Sequence, residues 1–152
     1  LNQGPAGACS SAVGIARAAF EYAVKYSQER VTFGKPICSN QAIQFMLADM
    51  GMKIEASRQL GFHVADLIDH GKMAEVSKLA SMAKCFSTDM LQSVTSDAVQ
   101  IFGGYGYMRD YPVEKLMRDA KIYQIFEGTN QIQRMVIAGA LLKEHRVKKG
   151  MR

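Results

Sequence analysis

The sequence predicts an all-α protein, an antiparallel up-and-down four-helix bundle with a short extra helix. Only three prolines occur in 152 residues, which favours long, uninterrupted helices. Apolar residues recur at helical spacing over most of the chain, and no segment shows the strict alternation of a strand. Long helices joined by short connections pack as antiparallel neighbours, so these observations together indicate a bundle.

The first predicted helix covers residues 6–29 and carries many small side chains. They recur along its length at Ala8, Ala12, Ala16, Ala19 and Ala23. Small side chains let a neighbouring helix approach closely. We therefore expect this helix to lie at the centre of the bundle. A loop over residues 30–36 ends it, since Gly34 and Pro36 are both typical of loops.

The second and third predicted helices are both long. Ser39 is a residue type that caps helices, so we expect it to begin the second helix. That helix ends at His70, with Gly71 in the left-handed conformation that glycine adopts after a helix. The third helix covers residues 73–102, where an apolar stripe is stopped by two successive glycines.

A short helix and a last long helix complete the prediction. The short helix covers residues 113–120, directly after Pro112, a residue type that suits a helix start. Thr129 is expected to cap the last helix, which continues to Leu142. No linker or repeat divides the chain, so residues 1–152 are expected to form a single domain.

The composition excludes several classes of protein. With 48% apolar and 22% charged residues, the chain is of the folded, globular type. Its three cysteines form no CxxC or Cys/His cluster, so we expect neither a disulfide framework nor a metal site. No apolar run is long enough to span a bilayer. The net charge of +5 lies partly in the basic tail 145–152 and accompanies no nucleic-acid-binding motif. The start lacks an initiator methionine, so we expect a piece of a longer protein.

Residues 30–35 are the first candidate binding segment. They bring together the guanidinium of Arg30, the hydroxyl of Thr32, the ring of Phe33 and free backbone donors, beside a predicted helix start at 39–41. Arginine and helix starts favour anions, so a phosphate-bearing ligand is one interpretation. An ordinary turn is the other, and the spacing alone favours neither. The segment matches neither a P-loop nor a dinucleotide-binding motif.

The second candidate segment contains an isolated acid. Glu127 lies between Phe126 and Gly128, in a predicted loop just before a helix. Apolar surroundings disfavour the ionised form of an acid, which suits a general base. Gly128 would let a substrate approach the backbone closely. The alternative is an acid that merely complements the helix dipole, and the spacing alone leaves both open.

Four motifs occur in order along the chain. They are ERVTFGK at 29–35, DAVQIFGG at 97–104, YPVEKLMRDAK at 111–121 and FEGTNQIQ at 126–133. Together they resemble the acyl-CoA dehydrogenase family, closest to its medium-chain and short-chain branches. The resemblance covers nearly the whole chain. It implies that residues 1–152 are the C-terminal helical domain of a larger flavoenzyme, whose N-terminal helical and middle β-domains are absent.

The resemblance also implies an activity. Members of the family carry out FAD-dependent α,β-dehydrogenation of a fatty acyl-CoA thioester to trans-2-enoyl-CoA in fatty acid β-oxidation. By its motif, Glu127 is similar to the catalytic base that removes the α-proton, and Gly128 would lie beside the thioester. This chemistry requires the base and the flavin on opposite sides of the acyl chain, with water excluded.

The resemblance further implies a cofactor site and partners. The loop at 30–33 would reach the FAD diphosphate of a neighbouring subunit, while the helix start at 129–131 would face the FAD of its own subunit. The implied FAD-binding residues are Arg30, Val31, Thr32, Phe33, Asn40, Gln41, Gln100, Ile101, Phe102, Gly103, Gly104, Thr129, Asn130 and Gln131. The implied assembly is a homotetramer, a dimer of dimers, in the mitochondrial matrix. Its implied electron acceptor is electron-transferring flavoprotein.

Some members carry their base on the first helix of this domain, but residues 1–7 contain no acid, which favours Glu127. The chain departs from the family pattern at four positions that bear on acyl-CoA affinity and chain length: Asn2, Pro5, Phe126 and Gly139. An acyl-CoA oxidase and a non-catalytic helical oligomerisation module are the alternative functions. We expect the chain alone to be inactive, because the family's β-domain holds most of the flavin ring.

Overall fold

The computed structural model describes residues 3–148, except for the side chains of Gln3, Pro5, Val147 and Lys148. Two predicted departures, Asn2 and the side chain of Pro5, therefore lie outside the described residues. The described chain forms five α-helices: α1 (Gln3–Glu29), α2 (Gln41–Asp69), α3 (Met73–Phe102), α4 (Val113–Tyr123) and α5 (Asn130–Lys148). The all-α prediction of four long helices and a short one is confirmed. Within this range no helix has the length and apolar character that a membrane crossing requires.

Helix α3 is the centre of the bundle. It contacts all four other helices, and its buried residues lie on more than one of its sides. The alanine-rich helix α1 packs along α3, with four of its alanines fully buried: Ala12, Ala16, Ala19 and Ala23. Helix α1 also contacts α2 and α4, as its predicted inner position requires, but α3 and not α1 is the helix that contacts every other helix. The small residues of α1 mark the close contact with α3, which is the helix that the others surround.

Helix α5 packs against α3 and leaves a broad apolar side uncovered. Five of its large apolar residues are exposed: Ile132, Met135, Val136, Leu141 and Leu142. An apolar surface of this kind on a folded chain is typical of a face that packs against further protein.

The connection from α1 to α2 contains a small β-hairpin where the sequence predicts only a loop. Strand β1 (Val31–Thr32) pairs antiparallel with strand β2 (Lys35–Pro36). Phe33 and Gly34 between them have φ angles of +50° and +80°, as in the two-residue turns that join tight hairpins. The Phe33 side chain is fully exposed at the tip. Two-residue strands are too short to produce a detectable alternation in the sequence.

The predicted helix ends are partly confirmed. Thr129 caps α5, because its Oγ1 accepts a hydrogen bond from the backbone N–H of Ile132 at 3.3 Å. Gly71 has the predicted left-handed conformation, with a φ of +68°. The prediction for Ser39 is wrong. Its hydroxyl donates to the carbonyl of Pro36 at 2.7 Å within a single 3₁₀ turn, and α2 begins only at Gln41. Helices α4 and α5 also continue beyond their predicted ends.

Gly106 fills a tight place in the 3₁₀ turn Gly103–Tyr107 that follows α3. A Cβ at this position would lie 2.7 Å from the carbonyl oxygen of Val99 and 2.8 Å from the Cβ of Phe102. We expect Gly106→Ala to lower the free energy of unfolding by about 1–3 kcal/mol, as overpacking typically does. Gly104→Ala is the control, since no atom lies within 4 Å of a Cβ there. Denaturant unfolding measures both variants, and equal losses would contradict the expected clash.

Candidate functional site

The predicted base lies in a loop with an unusual backbone. We call residues 124–129, between α4 and α5, the Glu127 loop. Glu127 and Gly128 both have left-handed φ angles, +53° and +81°. For a residue with a Cβ this conformation costs about 1 kcal/mol. The Glu127 side chain reaches the first turn of α1, because a Cβ added at Gly4 would collide with its Oε2.

The surroundings of Glu127 differ from the prediction. The sequence predicts an acid enclosed by apolar neighbours, but the Glu127 side chain is exposed. Ile125 and Phe126 are themselves 50% and 38% exposed. The apolar side chains of the loop point outward, so the described part of the chain does not enclose the carboxylate. A cover would have to come from other protein or from a ligand.

A buried lysine of α3 binds the backbone at the apex of the loop, residues 127–128. Lys84, in the middle of α3, is fully buried. Its Nζ donates to the carbonyl oxygen of Gly128 at 3.0 Å and to Oδ1 of Asn130 at 2.7 Å. Burial lowers the pKa of Lys84, although nearby groups that include Asp89 act in the opposite direction. Sequence reasoning missed Lys84. Its position four residues after the buried Ala80 was the signal that it lies on the inner side of α3.

Asp89 ties the two ends of the Glu127 loop to α3. Its Oδ1 accepts hydrogen bonds from the side-chain amides of Gln124, at 2.7 Å, and Asn130, at 2.8 Å, while Arg134 pairs with its other oxygen. Asn130 also donates to Thr88 at 2.8 Å. Burial acts to raise the pKa of Asp89, but the hydrogen bonds from Arg134, Gln124 and Asn130 outweigh burial and hold that pKa below its usual range.

The side-chain amide of Gln133 binds the other backbone carbonyl of the turn. Gln133, buried in the first turn of α5, donates from Nε2 to the carbonyl oxygen of Glu127 at 3.0 Å. A Cβ at position 128 would lie 2.8 Å from the same Nε2. Position 128 therefore requires glycine for two reasons, its left-handed φ and the close approach of Gln133.

The other group of predicted residues lines an open pocket of about 470 Å³ at the C-terminal end of α3, which we call the Arg30 pocket. The Arg30 guanidinium lies over the ring of Tyr105, 5.6 Å from its centroid. No acidic side chain among residues 3–148 forms an ion pair with Arg30. Open space surrounds both Gly103 and Gly104 where a Cβ would be. An unneutralised arginine beside accessible backbone is suited to a phosphate group.

The structure divides the predicted residues between these two places. Six of them line the Arg30 pocket: Arg30, Thr32, Ile101, Phe102, Gly103 and Gly104. Val31, Phe33, Asn40, Gln41 and Gln100 lie nearby in the chain but do not line it. The other place, at the Glu127 loop and the start of α5, contains Glu127 and Gly128 together with Thr129, Asn130 and Gln131. Lys84 lies at the Glu127 loop and Phe102 lies in the Arg30 pocket. At 1.5 Å per residue along α3, these two residues are about 27 Å apart.

Fold and site together define a mainly helical domain that presents two separate, open sites, one acidic and one basic. The family model for the acyl-CoA dehydrogenase C-terminal domain matches residues 1–142. The chain therefore belongs to the acyl-CoA dehydrogenase family, as the four motifs predict.

Individual relatives agree with this assignment. The chain is 55% identical over 142 residues to an acyl-CoA dehydrogenase of Bacillus subtilis, covering 93% of this chain and 37% of that protein. The solved butyryl-CoA dehydrogenase of Megasphaera elsdenii superposes with a TM-score of 0.90 at 52% identity, over 93% of this chain and 36% of the other. A structure described as electron transferring flavoprotein of Acidaminococcus fermentans gives a TM-score of 0.90 at 55% identity, over 93% and 37%. The chain thus spans little more than a third of the length of these relatives.

The relatives also correct one prediction. Two relatives that are more than 50% identical to this chain over the matched segment come from the bacteria Bacillus subtilis and Geobacter metallireducens. Bacteria have no mitochondria, so the predicted mitochondrial matrix location is wrong. That location follows only from the resemblance to the family, and no residue of the chain indicates it.

Proposed function

We propose that this chain is the C-terminal helical domain of an FAD-dependent acyl-CoA dehydrogenase that converts a fatty acyl-CoA thioester to the trans-2-enoyl-CoA, with Glu127 as the base. One observation carries the proposal. Glu127 is an exposed acid on a left-handed turn, and buried side-chain donors of α3 and α5 bind the carbonyl oxygens of Gly128 and Glu127. Such an arrangement presents a carboxylate at a fixed position, as proton abstraction requires.

The residues of the chain divide the work. The Glu127 carboxylate would accept the α-proton of the thioester, and Gly128 would lie beside the thioester. When bound, FAD supplies the oxidant that takes the hydride from the β-carbon. Arg30 and Thr32 would hold its diphosphate, and Gly103 and Gly104 would allow the cofactor to approach the backbone. Contact with the rest of the enzyme covers Ile125 and Phe126 and excludes water from the reacting atoms.

The proposal includes a homo-oligomer in which two copies of the chain complete each FAD site. The Arg30 pocket and the Glu127 loop lie about 27 Å apart along α3, so one chain cannot easily place both around one reacting centre. The fully exposed Phe33 and the uncovered apolar side of α5 support contact between copies. A dimer of dimers would complete each FAD site from two copies and would also cover the exposed apolar faces.

Electron-transferring flavoprotein is the proposed acceptor of the electrons. One solved relative at 55% identity, described by that name, supports this choice. No feature of the described residues favours oxygen as the acceptor, or favours a role without catalysis.

The test uses the longest natural polypeptide that carries this sequence, purified with its flavin. Anaerobic mixing with butyryl-CoA and longer straight-chain acyl-CoAs is expected to bleach the flavin absorbance and to form the enoyl-CoA, which mass spectrometry detects. Flavin-loaded protein that none of these thioesters bleaches would overturn the proposal. Rapid reoxidation by oxygen during turnover would identify an oxidase instead. A stable helical oligomer that never binds flavin would identify an oligomerisation module.

A further inference from the structure

Burial of the Lys84 side chain is unfavourable to the stability of the fold. A buried ammonium group loses its hydration, and this loss is usually offset by a carboxylate in direct contact. No such ion pair exists among residues 3–148. The Nζ donates instead to one backbone carbonyl and one side-chain amide oxygen. A methionine would fill a similar volume without this penalty, so stability alone does not account for a lysine here.

The acceptors of Lys84 lie at the point where the backbone of the Glu127 loop is most constrained. The two residues with left-handed φ, Glu127 and Gly128, each have a carbonyl oxygen bound by a side chain. Gln133 binds the first at 3.0 Å and Lys84 binds the second at 3.0 Å. Side chains of α5 and α3 therefore set the orientation of the two successive peptide groups that follow the base.

The two ends of the loop are fixed separately from its apex. Asp89 accepts hydrogen bonds from Gln124 before the turn and from Asn130 after it. A backbone hydrogen bond of 2.9 Å also joins the N–H of Asn130 to the carbonyl of Gln124. Loss of the Lys84 ammonium would remove its bonds to the Gly128 carbonyl and to Oδ1 of Asn130, while the contacts of Asp89 and Gln133 with the loop stay in place.

We propose that Lys84 is a positioning residue for the base: through the Gly128 carbonyl and Asn130, its buried ammonium group sets the loop conformation from which Glu127 reaches the substrate. The inference rests on the proposed function of Glu127.

The decisive variant is Lys84→Met in the flavin-loaded holoenzyme. We expect the fold and the flavin content to survive, because Met matches the buried volume and the ends of the loop remain tied. The limiting rate of flavin reduction by acyl-CoA is expected to fall about 10- to 100-fold, the usual effect of a misplaced catalytic group. The acyl-CoA concentration at half-maximal rate is expected to change much less, because Lys84 does not contact the substrate.

Two further variants control this experiment. Lys78→Met, on the same helix, breaks an ion pair with Glu144 of α5 away from the loop and is expected to leave the rate unchanged. Lys84→Gln keeps an N–H donor without the charge and is expected to recover part of the rate. A wild-type limiting rate in Lys84→Met overturns the inference, as does a fall that merely follows lost flavin. If Lys84→Met does not fold, a wild-type rate in Lys84→Gln overturns it.

Glu127→Gln, measured in parallel, separates this inference from the proposed function. If Glu127→Gln is reduced normally, the assignment of the base fails and the role of Lys84 fails with it. If Glu127→Gln is inactive while Lys84→Met reacts normally, only the role of Lys84 is overturned.

Discussion

Glu127→Gln is expected to lower the rate of flavin reduction by acyl-CoA by at least about 10²–10⁴-fold, the contribution of a positioned general base. Glutamine keeps the size and shape of the side chain but cannot accept the α-proton. The flavin content and the fold should survive. The Glu127 side chain is exposed, so its replacement disturbs no buried contact.

Stopped-flow bleaching at matched flavin loading measures this effect in the holoenzyme. Glu144→Gln is a suitable control, since Glu144 is also exposed but lies on α5 and pairs with Lys78. The control should reduce its flavin at the wild-type rate. Near-normal reduction in Glu127→Gln would refute the assignment and place the base in another part of the enzyme.

Arg30→Ala is expected to produce the opposite pattern, loss of flavin and a weaker oligomer. The guanidinium stacks on Tyr105 and has no acidic partner among residues 3–148, so its charge is free for a diphosphate. Charge-assisted hydrogen bonds of arginine to phosphate are strong. Leaving one charge of a buried pair alone typically costs about 2–5 kcal/mol. That cost should fall on the contact between subunits, where the pocket is completed.

The ratio of flavin to protein after dialysis, with sedimentation at several protein concentrations, measures both losses. Arg17→Ala on the exposed side of α1 removes an arginine that pairs with Glu21 and should change neither quantity. A stable tetramer with stoichiometric flavin in Arg30→Ala would show that the Arg30 pocket does not bind the diphosphate.

The sequence was most informative where local rules determine the structure. The bounds of α3 agree with the prediction because an unbroken apolar stripe is followed by two glycines. Thr129 was found because a helix cap depends on residues only three positions away. Both signals are contained in a short stretch of the chain, where tertiary contacts have little power to override them.

Prediction failed where the structure depends on distant partners or very short elements. A stripe position indicates that Lys84 is buried, but its acceptors lie more than forty residues away. The surroundings of Glu127 were mistaken because apolar neighbours in sequence do not fix which way the side chains point. Ser39 was misread because a hairpin of two-residue strands and a 3₁₀ turn precede α2. None of these features has a periodic signature.

Helix α3 has a consequence for oligomers of mixed composition. If each copy offers its Arg30 pocket to one FAD and its Glu127 loop to another, a single faulty chain impairs two centres at once. A chain damaged at the Glu127 loop and a chain damaged at the Arg30 pocket would, when assembled together, bring their intact sites to one shared centre. Two inactive variants of such an enzyme, produced together, would then restore each other in part, and the activity of the mixed oligomer would depend on which of the two sites each variant affects.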